Sequence, residues 1–138
     1  MTGITEPVVA PDQMEAYRRT FRERSRRALE MREKRRQQAL QAVQDKAPAI
    51  LATYPSVQRA YLFGSVTRPG AFHPASDIDV ALEGTTAAEY FAVWRDLEYA
   101  LPDWTVDARE TIDPSPFADR VRETGVLIYE RASPVTPD

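Results

Sequence analysis

Apolar positions in the first fifty residues recur at helical spacing, whereas those that follow alternate or cluster as strands do. Residues 1–11 carry two prolines and no period, which predicts a loose lead-in. Asp12 is placed to cap a helix, with Glu15 three residues on as its capping-box partner. Met14, Tyr17, Phe21, Ala28 and Leu29 then form an approximate apolar stripe. The stripe fades through residues 32–38, which are polar all round, and resumes at Leu40, Val43, Ala47, Ile50 and Leu51. Pro48 lacks an N–H and clashes with the preceding turn, so it predicts a kink or the start of a second helix.

Beyond Tyr54-Pro55 the pattern changes to a compact α/β order. Residues 57–63 (VQRAYLF) read as a strand ending at Gly64, and residues 64–76, with two prolines and two glycines, as a loop. Residues 77–82 (DIDVAL) read as a second strand. Thr86 to Glu89 is a capping box that opens a helix with an apolar face of Tyr90, Trp94, Leu97 and Leu101, stopped by Pro102. Residues 104–108 (WTVDA) give a third strand, which leaves Glu110 beyond its end. Ser115-Pro116 opens a short helix closed by Gly125, and residues 126–129 (VLIY) give a fourth strand. The domain reading is a lead-in at 1–11, a basic helical arm at 12–40, a folded domain at 41–131 and a tail at 132–138.

Charge changes this picture more than composition does. The formal net charge is −3, yet from Arg18 to Arg36 there are ten Arg or Lys and three Glu, a net of +7 that leaves −10 for the remainder. An acidic body with a basic arm fits a partner of complementary field, an acidic protein surface or RNA, although a solvated face is the ordinary reading of a charge run. The absence of cysteine excludes disulfides, thiolate zinc sites and cysteine nucleophiles. No apolar run reaches the roughly 20 residues that span a bilayer, and no signal-peptide core is present, so the expectation is a soluble, cytoplasmic protein.

The segment with the most chemistry is Leu62-Phe63-Gly64-Ser65, a loop, then Asp77-Ile78-Asp79. Alternate residues of a strand share a face, so Asp77 and Asp79 point one way while Ile78, Val80 and Leu82 point into the core. Two carboxylates so close repel unless a cation lies between them, and magnesium is the hard ion that takes such oxygens while keeping phosphates in its shell. Gly64 lets the backbone approach a phosphate, and Ser65 offers a hydroxyl and an amide there. Asp107, on a separate strand, completes the set if that strand is the neighbour. Three carboxylates on one rim can hold two metals and clamp an in-line phosphoryl displacement. Arg68 reads either as a phosphate or partner contact or as a solvated loop residue. His73, Trp94, Trp104, Tyr61 and Tyr129 read as loop or packing residues.

These elements, LFGS, SDIDVAL and VDA about thirty residues further on, resemble the nucleotidyltransferase superfamily related to DNA polymerase β. The match is to its small MNT antitoxins of HEPN–MNT toxin–antitoxin pairs. It covers roughly residues 41–130, and the GS…DxD element is quite specific. The resemblance implies an α/β (α+β) fold, a short mixed β-sheet flanked by helices, here with a long basic N-terminal helix. It implies that Gly64 and Ser65 hold the nucleotide phosphates, that Asp77 and Asp79 bind magnesium and that Asp107 completes the metal site. ATP is then the substrate, with two Mg2+ ions. The implied activity is AMP transfer from ATP to a tyrosine hydroxyl of a HEPN ribonuclease toxin. The alternatives are a small-molecule (aminoglycoside-like) nucleotidyltransferase, an antitoxin that masks its toxin without catalysis, and an RNA-binding module using the basic stripe. Two departures stand out: the loop between Ser65 and Asp77 is one or two residues longer than the family's common spacing, and the basic arm exceeds the usual minimal domain.

Overall fold

A computed structural model describes residues 10–133; most of the expected lead-in and tail lies outside the described residues. The elements run α1 (Pro11–Ala52), β1 (Arg59–Phe63), a short 3-10 turn (Gly64–Thr67), β2 (Ile78–Glu83), α2 (Ala87–Ala100), β3 (Val106–Thr111), α3 (Pro116–Thr124) and β4 (Val126–Glu130). Residue contacts divide the chain into two compact units, Met1–Met31 and Arg32–Asp138.

In the first unit α1 begins with Pro11 at its first position, where the missing N–H is no loss. The backbone N–H of Ala10 donates to Gln13 Oε1 at 3.4 Å. Asp12 is therefore not the cap and Glu15 not the residue that reaches back; Asp12 lies in the first turn, where its charge suits the helix's positive end. Met14, Tyr17, Phe21, Leu29 and Met31 are all exposed.

The second unit holds one four-stranded sheet of order β3-β2-β1-β4. β1 pairs antiparallel with β2 and with β4, while β2 and β3 are parallel. A parallel pair needs a crossover, and α2 supplies it. Ala60, Leu62, Ile78, Val80, Leu82, Val106 and Ala108 are buried on one side of the sheet in a cluster with Ala39, Val43, Ala47 and Leu51 of α1 and Val93 and Leu97 of α2. No second helix opens at Pro48, because burial of Ala47 and Leu51 on either side outweighs the one backbone hydrogen bond that proline forgoes. On the other side of the sheet, Ala81 and, from α3, Ala118 and Val121 are buried.

Strand limits move by one to three residues from the sequence reading. β1 starts at Arg59, since Val57 N–H is taken by Tyr54 O in a turn (3.1 Å). β3 runs to Thr111 and so includes Glu110, which pairs with Leu82. The expectation that Glu110 lies beyond the strand fails because the parallel ladder with β2 continues to Glu83. Thr86 caps α2, accepting from Glu89 N–H at 3.3 Å, but Glu89 does not reach back. Its carboxylate accepts instead from the backbone N–H of Ser56 at 2.9 Å and from the Ser56 hydroxyl, which itself accepts from Thr86 N–H at 3.2 Å. The capping box is thus spent on tying α2 to the turn before β1. Gly125 closes α3 without a left-handed backbone (φ −74°); what excludes a side chain is Val121 O, 2.4 Å from where a Cβ would stand.

No described helix is long and apolar enough to cross a membrane.

Candidate active site

The ladders bring the separated aspartates together. Phe63 of β1 stands opposite Asp79 of β2, and Asp79 stands in register with Asp107 of β3. Paired residues point to the same side of a sheet, so all three occupy the side opposite the main core. Asp77 precedes β2 by one residue rather than beginning it as the sequence reading had it; the Ile78 N–H donates to Thr105 O at 2.8 Å, which fixes the chain's entry into the strand. Asp77, Asp79 and Asp107 each offer a carboxylate oxygen, and these oxygens lie within 4.8 Å of one another. Glu110 has the opposite parity on β3 and stays out of the group.

Asp79 is half-buried, and burial pushes its carboxyl above the ordinary range. The charges of Asp107 and Asp77 push the same way, with Arg109 opposing them. Hard oxygen donors, crowded and short of counter-charge, fit a divalent cation such as magnesium. Arg109 Nε is 3.5 Å from Asp107 Oδ2, a partial counter-charge on an exposed side chain.

Gly64 follows β1 at φ +73°, a left-handed conformation that side chains resist. A Cβ there would stand 2.4 Å from Asp79 Oδ2, so only glycine lets the turn and the carboxylate share this space. The 3-10 turn is then closed by Thr67 Oγ1 donating to Gly64 O (2.7 Å) and by Arg68 N–H donating to Ser65 O (3.1 Å). From behind, Arg36 Nη1 donates to Val66 O at 3.1 Å. Arg36 is only 6% exposed and is paired with Glu33. Farther along the same loop Phe72 is buried, so the loop is anchored at Val66 and at Phe72.

A cleft of about 570 Å³ opens beside this turn, lined by Phe63, Gly64, Thr67, Arg68, Arg109, Phe117, Arg120, Val121 and Thr124. Its volume suits a nucleotide-sized ligand. Three arginines face it together with the Phe63–Phe117 edge-to-face pair, whose centroids are 5.2 Å apart. Of the residues singled out from the sequence, Gly64 and Arg68 line the cleft. Ser65 belongs to the same turn but not to the lining, and His73 is exposed in the loop.

Sequence reasoning missed Arg109, Arg120, Phe117 and the support of β3. The strand parity that paired Asp77 with Asp79 would have placed Arg109 beside Asp107. Nothing local announces Arg120, which reaches the cleft because α3 lies on that side of the sheet. Trp94, read as packing alone, also donates from Nε1 to Val106 O at 2.7 Å, and Tyr90 donates its hydroxyl to Ala108 O at 2.6 Å. These two bonds from α2 fasten the carbonyls on either side of Asp107 along an edge strand, whose outer groups would otherwise be unpaired.

The family described as polymerase beta nucleotidyltransferase matches residues 45–134. The chain belongs to that family. Its matched region contains the whole sheet, the glycine turn and all three aspartates, so the polymerase beta nucleotidyltransferase domain and the carboxylate cluster coincide. A search of curated proteins gives no match. Among solved structures the chain is similar to a toxin–antitoxin with AMP-PNP, at 24% identity over 70% of this chain and 73% of that one (TM-score 0.46). It is also similar to a mutant of the toxin–antitoxin MntA–HpeT, at 22% identity over 70% and 73% (TM-score 0.46), and to the toxin–antitoxin MntA–HepT, at 21% over 70% of each chain (TM-score 0.40).

Proposed function

We propose that this chain is a magnesium-dependent nucleotidyltransferase that moves AMP from ATP to a tyrosine hydroxyl of a HEPN ribonuclease toxin and so acts as its antitoxin. One observation carries the reaction class: three carboxylates converge within 4.8 Å against a glycine turn, beside a cleft lined by three arginines. The acceptor rests on the resemblance of the LFGS, SDIDVAL and VDA elements to MNT antitoxins.

In this reading the triphosphate lies along the turn at Gly64 and Ser65, with Arg68, Arg109 and Arg120 offering guanidinium forks to its oxygens. Asp77, Asp79 and Asp107 hold the magnesium, two ions being the number such a carboxylate set can take. When bound, magnesium neutralises charge on the phosphates and makes the acceptor hydroxyl more acidic. The acceptor oxygen forms a bond to the α-phosphorus, the bond from that phosphorus to the bridging oxygen breaks, and pyrophosphate leaves. Asp107, partly exposed at the rim, takes the hydroxyl proton.

The test is to mix the chain with its toxin, ATP and magnesium and to follow the intact mass of each protein. A toxin mass rising in AMP-sized steps, abolished by Asp79→Ala, is the expected result. Toxin inhibition that survives Asp77→Ala/Asp79→Ala with no mass change would replace transfer by simple masking. Label from ATP recovered on a small molecule, and never on the toxin, would replace the protein acceptor.

A further inference from the structure

Of the basic stretch of α1, Arg36 braces the glycine turn, while the residues up to Met31 belong to the first unit and are not used in the site described above. Met14, Tyr17, Phe21, Ala28 and Met31 are separated by steps of three, four, seven and three residues, the spacing of one seam in a seven-residue repeat. The large members are exposed: Tyr17 and Phe21 by 71% and Met31 by 72%. Arg24 occupies the seam position between Phe21 and Ala28, and Arg18 and Arg27 flank the seam. All four acids of this stretch, Asp12, Glu15, Glu23 and Glu30, fall on the remaining positions. Glu30 is engaged there with Arg26, at 3.7 Å.

We propose that this seam, within the first unit, is a docking surface for an acidic amphipathic helix of a partner protein. The charge arrangement selects that occupant. Apolar seam residues call for an apolar stripe on the partner, and arginines in and beside the seam call for carboxylates flanking it. A second copy of this chain on the same seam would set arginine against arginine. A polyanion such as RNA would meet the arginines, but it would leave Met14, Tyr17, Phe21 and Met31 without a matching apolar stripe. The inference stands on binding and not on nucleotide transfer, so it survives or fails independently of the proposed reaction.

The test uses the full chain and two synthetic peptides with leucine at the seam positions of four repeats, one with glutamate on both flanks and the other with lysine. Fluorescence anisotropy reads the binding. The glutamate peptide is expected to bind, more weakly as salt rises, and the lysine peptide not to bind. The double variant Phe21→Gln/Met31→Gln keeps residues that favour helix and is expected to bind roughly tenfold more weakly with unchanged circular dichroism. Equal affinity for both peptides, or equal affinity of the variant, would overturn the proposal. So would tighter binding of a single-stranded RNA that is indifferent to the variant, or concentration-dependent dimerisation that the variant abolishes.

Discussion

Gly64 and Asp79 occupy space that either could fill, and that competition is where the chemistry is set. In Gly64→Ala the new methyl meets the Asp79 carboxylate in a backbone conformation that alanine resists. The expected result is a stability loss of about 1–2 kcal/mol in urea unfolding and a fall in turnover of roughly a hundredfold. Asp79 itself is held in the fold at a disadvantage. Because its carboxyl is raised in the native state, its contribution is fully present below roughly pH 4 and is lost as pH rises through the raised value. Without divalent ions at neutral pH, Asp79→Asn should therefore be at least as stable as the parent in a thermal melt. Magnesium should raise the parent's Tm and leave that of the variant nearly unchanged. A parent indifferent to magnesium would refute this reading of the crowded carboxylates.

At the scale of elements, the site is held from outside by helices whose supporting role the sequence reveals only in part. The period of Tyr90, Trp94, Leu97 and Leu101 shows that α2 has an apolar face, but not that two members of this face carry hydrogen bonds to β3. Trp94→Phe keeps the packing and removes one donor from Val106 O. It should lower stability by about 1–2 kcal/mol and weaken magnesium–nucleotide binding several-fold, as urea titration and calorimetry would read. Arg36 looks like one more residue in a run of ten basic side chains, yet it is buried and braces the glycine turn. Charge counting hides such a residue because it reports the sum and not which arginine turns inward. The hydrogen bond from Arg36 brings the Glu33 carboxyl down to about 2. A depressed carboxyl stabilises the fold at pH above its ordinary 4.5, and this stabilisation is lost as pH falls towards 2. Glu33→Gln should flatten the acid limb of a stability–pH curve in that window and leave neutral pH little changed in slope.

For the whole molecule, the order of elements was legible because alternation in DIDVAL, clustering in VQRAYLF and the caps at Thr86 and Ser115 are local signals. The meeting of Asp107 with Asp79 was legible only through the family resemblance, since strand order is decided by long-range packing; the crossover through α2 makes β3 the parallel neighbour of β2. Arg120 was hidden for the same reason. Exact strand limits were also out of reach: Glu110 is inside β3 only because β2 offers a partner as far as Glu83. The account as a whole depends on these three aspartates acting as one cation site beside the cleft. The most direct measurement is calorimetric titration of a non-hydrolysable ATP analogue into the full chain, with and without magnesium, alongside Asp77→Asn, Asp79→Asn and Asp107→Asn. The account predicts magnesium-dependent binding that each variant weakens by about tenfold or more. Binding of equal strength without magnesium, or unaltered in all three variants, would contradict it.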